Sequence, residues 1–100
     1  MSYNYILKEL LMKNYCGFEV MHFKGKKYKV LQVAEHTETG EKLVIYQALY
    51  EPFGIFARPL QMFISEVDRE KYPNAKQMFR MEIISTGVKT IGKELHERKS

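Results

Sequence analysis

Cysteine is nearly absent from this 100-residue chain, where Cys16 stands alone. A lone cysteine excludes an internal disulfide and any multi-cysteine metal site, and it fits a reducing compartment, so the expected location is cytoplasmic. Beside Gly17 it reads as a packed thiol. Long apolar runs are missing too. The stretch from Ile6 to Met12 is broken by Lys8 and Glu9 and precedes no small-residue cleavage site, which argues against a signal peptide. Nothing approaches the ~20 apolar residues of a membrane span, so no membrane partner is expected. Histidine is sparse: His22, His36 and His96 form neither a His-x-x-x-His nor a His-x-x-Glu-His spacing. No metal and no cofactor is therefore expected; His22 reads as a hydrogen-bonded strand residue and His96 as part of the tail. Gly-rich phosphate loops, nucleophile elbows and Cys-His pairs are also missing.

What is present suits one small globular domain spanning residues 1–100, with 45% hydrophobic and 28% charged residues. A second domain would leave each half too small to bury an adequate core. The net charge of +4 permits an acidic partner such as nucleic acid, and equally serves solubility. Its distribution says more. Lys24, Lys26, Lys27 and Lys29 place four positive charges in six residues, whereas Glu35, Glu38 and Glu41 make the following loop acidic. That pattern predicts a basic tip and an acidic tip rather than a continuous basic stripe.

Hydrophobic periodicity predicts a helix over residues 4–15, with Tyr3, Leu7, Leu10 and Leu11 on one stripe, Asn4 as its cap and Gly17 as its stop. It is expected to cover one open end of a sheet. From Phe18 the period changes to two. A first strand ends at the Lys24-Gly25-Lys26 turn. A second runs from Tyr28 to His36 with apolar residues on both sides, the mark of a strand near the middle of a curved sheet. A third covers Leu43 to Leu49 and a fourth Ile55 to Arg58, ended by Pro59. A short helical turn is expected around Leu60, Met62, Phe63 and Val67. The last strand, Gln77 to Ile84, points Phe79, Met81 and Ile83 inward. After residue 86, Val88, Ile91 and Leu95 have helical spacing in a charged tail. The fold class is thus mainly β: a barrel core over 17–84, of about five strands, with a helical appendage and a tail at 86–100.

The ordered segments His22-Phe23-Lys24-Gly25, Tyr28-Lys29-Val30, Ala34-Glu35-His36-Thr37-Glu38-Thr39, Tyr46-Gln47-Ala48-Leu49-Tyr50 and Arg58-Pro59-Leu60-Gln61-Met62-Phe63, closed by Phe79-Arg80, resemble the short bacterial proteins catalogued as domain of unknown function 1653. The resemblance spans about residues 17–82 and implies an SH3-like β-barrel. It brings no activity with it. Phe56 stands where many relatives carry tryptophan, and Ala57 replaces a valine, so any cleft there differs in shape.

Four constellations bear on function. His36, Glu38, Thr39 and Arg58 form the first. A histidine oriented by a carboxylate can act as a general base while an arginine stabilises an anion. The plainer alternative is that these groups tie a loop together, Arg58 pairing with Glu38. Tyr28, Tyr46, Tyr50, Phe53 and Phe56 form the second, either a groove for extended peptides or bases, or cross-strand packing, with Tyr50 and Phe53 the more exposed pair. The third is the lysine hairpin, whose Lys24, Lys26, Lys27 and Lys29 are candidate nucleic-acid contacts or simply charges guarding a sheet edge. The scattered histidines, the fourth, make no metal site. Together these predict a non-catalytic cytosolic binding module. Its recognition face would combine loops 37–42 and 50–54 with Arg58, the candidate cluster being His36, Glu38, Thr39, Tyr50 and Arg58. The partner would be a protein, peptide or nucleic acid. The alternative is a small hydrolase or transferase with His36 as general base beside Glu38 and Arg58.

Overall fold

Residues 4–85 are described by the structure, a computed structural model; Tyr3, His96 and the expected tail segment with Val88, Ile91 and Leu95 lie outside them. Helix α1, Tyr5–Met12, buries Leu7 and Leu11, with Leu10 packed beside them. It is shorter than the predicted helix because Asn14 adopts a left-handed φ of 56°. The Asn14 amide donates to the Leu11 carbonyl at 2.9 Å and the Tyr15 amide to the Leu10 carbonyl at 2.8 Å, the two closing bonds of a Schellman motif. Gly17 is therefore not the stop. Its φ of 87° turns the chain toward the sheet, where its amide donates to the Val30 carbonyl at 2.8 Å. Asn4 makes no side-chain capping bond; its Nδ2 instead donates to the Met81 carbonyl at 3.1 Å. Cys16 is exposed rather than packed, its thiol donating to the Asn14 carbonyl at 3.2 Å.

Asn14 also accepts the Val33 amide on its Oδ1 at 3.1 Å, which fastens the helix end to the sheet. Asn14→Ala loses that bond and strains the left-handed turn, and is expected to cost about 1–2 kcal/mol. Asn14→Gly restores the turn alone and should fall between the two. Thermal denaturation of the three proteins checks the order.

The strands are β1 (Glu19–His22), β2 (Lys27–Glu35), β3 (Lys42–Ala48), β4 (Ile55–Pro59) and β5 (Met81–Ser85), joined in one antiparallel sheet of order β4-β3-β2-β1-β5. β2 lies at the centre, as its two-sided apolar content suggested, and Pro59 sits on an edge strand where a missing amide is tolerated. The ladder is an open SH3-like barrel. Between β4 and β5 the chain makes a short helix, α2 (Leu60–Phe63), and Glu66 then bridges to Phe79. Arg80 adds its amide to the Ser65 carbonyl at 2.9 Å, so the gap between the edge strands is spanned by loop contacts.

The concave face carries Val20, Val30, Val44, Tyr46 and Met81, which with Phe18, Leu60, Phe63, Leu7 and Leu11 form the core. Alternation does not explain β2 by itself. Val30 pairs with Tyr46 and Gln32 with Ile45, leaving Leu31 as an extra residue, a β-bulge. Tyr28 and Val30 face inward before it, Val33 after it, opposite Val44. Alternation alone put Val33 on the other side from Tyr28 and Val30; the bulge moves it to theirs.

Candidate functional site

Strand parity sends an unusual set of side chains onto the concave face. Arg58 pairs with Val44 and Phe56 with Tyr46, so both point inward from the edge strand β4. Arg58 Nε donates to Tyr46 Oη at 3.1 Å. Tyr28 lies edge-on to Tyr46, Tyr50 and Phe56, with ring centroids 5.2, 5.6 and 6.4 Å apart. The Tyr28 and Tyr50 hydroxyls are 2.6 Å apart, and burial together with that hydrogen bond pushes the Tyr28 phenol up to about 12.

Next to this aromatic group lies a cleft of about 260 Å³ whose walls include His22, Lys24, Arg58, Asp68, Lys71 and Arg80. Four of these are permanent cations at neutral pH. Arg80 is anchored by Nε to the Met62 carbonyl at 3.2 Å and to Ser65 Oγ at 3.3 Å, which fixes its guanidinium at the cleft. Burial and then the neighbouring Arg58 lower the Arg80 pKa, a sign that two like charges share one small volume. Asp68 offsets one of these charges and forms no ion pair with any of them, its Oδ1 accepting the Glu70 and Lys71 amides at 3.0 and 3.3 Å. Among the described residues, none of the four cations has a carboxylate within ion-pair reach.

His22 belongs to the same cleft. Its Nδ1 accepts the Lys24 amide at 3.1 Å, so the neutral ring carries its proton on Nε2. Burial first, then Arg58, Arg80 and Lys24, lower its pKa to about 4. At neutral pH it is an uncharged hydrogen-bond donor, and a weak base. Phe23 stacks on His22 with centroids 4.6 Å apart and meets Tyr72 edge-on at 4.9 Å. Tyr72 reaches the site on a loop built from within. Its amide donates to the Asp68 carbonyl at 2.8 Å, and Arg69 clamps the Ala75 and Gln77 carbonyls at 2.6 and 3.1 Å.

The sequence-derived cluster is divided between two ends of the sheet. Loops 37–42 and 50–54 flank β3, whose Lys42 pairs with Glu35 at one end and whose Ala48 pairs with Tyr28 at the other. A seven-residue strand separates them, so they do not form one face. At the first end, His36 Nδ1 accepts the Glu38 and Thr39 amides at 3.1 and 3.3 Å, Thr39 Oγ1 accepts the Glu41 amide at 3.2 Å, and Glu38 accepts from Thr37 Oγ1 at 3.1 Å. These residues hold their own loop. Arg58 turns away from them toward Tyr46, and a general-base arrangement of His36, Glu38 and Arg58 is not assembled. Tyr50, at the second end, is linked to Arg58 through Tyr28 and Tyr46, although the Arg58 backbone pairs with Val44 nearer the first end. Tyr50 is half-buried, leaving Phe53 as the more exposed ring.

The lysine hairpin is split as well. Lys24 lines the cleft with its Nζ 5.0 Å from the Tyr72 ring centre, Lys26 sits 4.8 Å over Tyr50, and Lys27 and Lys29 alternate with inward Tyr28 and so lie on the opposite face. Among the described residues no group of three His, Cys, Asp or Glu side chains could hold a metal ion. His22, Lys71, Tyr72 and Arg80 were not among the candidates drawn from the sequence. The parity of His22 and the closing Phe79-Arg80 pair were the available signals. Tyr72-Pro73-Asn74-Ala75 reads locally as a loop, and nothing in the sequence around it marks a site.

Fold and cleft thus define a small open SH3-like β domain with a net cationic pocket beside an aromatic cluster. The chain belongs to the family described as protein of unknown function DUF1653, whose model matches residues 19–82. It is similar to the crystal structure of a DUF1653 protein from Bordetella bronchiseptica, with a TM-score of 0.61 and 28% identity over 74% of this chain and 92% of that one. No curated protein matches the sequence. No helix among the described residues is long and apolar enough to cross a membrane.

Proposed function

We propose that the protein is a non-catalytic binding module of the cytosol that takes an anionic group of its partner in the cleft between Arg58 and Arg80. One observation carries this reading: four cations line a single concavity against one carboxylate, Asp68, and among the described residues none of the four is ion-paired. Leaving like charges so close is costly unless an anion completes the site. Guanidinium forks suit the oxygens of phosphate or carboxylate, and the neutral His22 Nε2–H adds a donor of no charge. The segments that carry the family resemblance supply His22, Lys24, Arg58 and Arg80, as well as Tyr28, Tyr46 and Tyr50 beside them. The single, exposed, unpaired cysteine is consistent with a reducing compartment and supports the cytosolic part of this reading.

Inorganic phosphate is the simplest probe. Titrated into isotopically labelled full-length protein at low salt, it should shift the resonances of His22, Lys24, Arg58 and Arg80. The apparent affinity should fall with added salt. Arg58→Gln should weaken it about tenfold or more, whereas His36→Ala, at the other end of the sheet, should leave it unchanged. Absence of these shifts, or shifts centred on residues 37–42, would overturn the reading.

A further inference from the structure

The cationic cleft is not isolated: it shares Phe23, Lys24, Lys71 and Tyr72 as a common wall with a second, more open depression of about 370 Å³, lined further by Pro73, Asn74 and Ala75. One compartment concentrates positive charge. The other offers two aromatic rings, a proline, and the hydrogen-bonding amide of Asn74. Their shared wall sets an anion site and a flat apolar site within the length of one small ligand, and each volume lies near or within the ~300–1,000 Å³ of clefts that hold such ligands.

Resting on the anion-site reading above, we propose that the ligand is a nucleoside 5′-phosphate, its terminal phosphate held by Arg58 and Arg80 and its base laid against Phe23 and Tyr72. Three features select this chemistry. The cations converge on one spot, and Lys27 and Lys29 leave for the opposite face, so there is no track for the successive phosphodiesters of an internal strand. A dianionic monoester matches that concentration of charge. In the adjoining compartment, the Lys24 and Lys71 ammonium groups sit over the Tyr72 ring, 5.0 and 5.8 Å from its centre, so a base laid there displaces them to its edge, where a heterocycle, unlike a phenyl ring, has acceptors for them. Asn74 adds an amide able to pair with a base edge. The stacking surface should add about tenfold to the affinity of the bare anion.

A free nucleotide and the 5′-phosphorylated end of a single strand present the same group, and calorimetry on the full-length protein distinguishes them. The probes are inorganic phosphate, adenosine, AMP, phosphotyrosine, and one tetranucleotide with and without a 5′-phosphate. AMP is expected to bind at least tenfold more tightly than inorganic phosphate, with adenosine binding weakly. Asn74→Ala, which alters only the open depression, and Tyr72→Ala should each erase much of that advantage while changing phosphate affinity far less. Equal affinity of AMP and the 5′-phosphorylated tetranucleotide would assign the site to strand ends, and preference for AMP would assign it to free nucleotides; both support the proposal. It is overturned if AMP binds no better than phosphate, if phosphotyrosine binds more tightly than AMP, or if the 5′-hydroxyl strand binds as well as the phosphorylated one. If phosphate and AMP both fail to bind, the anion-site reading itself falls.

Discussion

Phe63→Ala should lower the folding stability by about 3–5 kcal/mol. Phe63 is fully buried, packs edge-on to Tyr46 with ring centres 5.1 Å apart, and joins α2 to the concave face of the sheet. Truncating such a ring removes its burial and leaves a cavity, at a cost of about 3–5 kcal/mol. A domain of this length holds only about 5–15 kcal/mol in total. Urea titration followed by circular dichroism should show the midpoint falling by roughly 1–3 M for a typical small-domain slope. Phe63→Leu should lose about 1–2 kcal/mol and remain folded. The comparison also bears on the cleft, because Phe63 steadies the Tyr46 ring whose hydroxyl receives Arg58. A loss under 1 kcal/mol for the alanine variant would mean that the ring does not fill the site described.

Acidification below neutrality should destabilise the protein through His22. In the folded chain its pKa is held at about 4 against the ordinary 6.5, by burial first and then by Arg58, Arg80 and Lys24, with the rings of Phe23 and Tyr28 packed against it. Below pH 6.5 the unfolded chain takes up a proton that the folded one refuses. Stability is therefore complete above about 6.5, declines as the pH falls toward 4, and levels off below that. Because part of the ring faces solvent, the loss between pH 7 and 5 is discounted to about 1 kcal/mol, or roughly 4–8 °C in Tm. His22→Gln should flatten this limb of the stability curve. Arg58→Gln should raise the imidazole pKa, as should phosphate bound beside it. An unchanged pH slope in His22→Gln would refute the assignment of the effect to this residue.

Much of the fold was legible because its elements obey short-range rules. The turn at Gly25, the alternation in β3, the edge position of Pro59 and the apolar stripe of Leu7, Leu10 and Leu11 all follow from spacing within a few residues. Errors arose where one residue carried two duties. Asn14 ends the helix and also binds β2, and no periodicity reports that. The candidate site was half legible. Tyr50 and Arg58 are linked through Tyr28 and Tyr46, whereas His36, Glu38 and Thr39 hold their own loop, a task that uses the same polar residue types as a binding site. Loops on either side of a strand must lie at opposite ends of it, so the order of elements alone argued against joining 37–42 with 50–54. Arg80, Lys71 and Tyr72 come to Arg58 only through tertiary closure across the open side of the sheet, information that no local window contains.

The bulge at Leu31 separates connectivity from shape. Every pairing on either side of it, Val30 with Tyr46 and Gln32 with Ile45, is that of an unbroken ladder with one residue omitted. Deleting Leu31 would keep every strand partner and every inward residue, and would take away only the added bend and twist that a bulge imposes. Together with the register shift between β1 and β5 at Glu19 and Val20, this one extra residue writes curvature into the sheet, and its share can be edited without rewriting the fold.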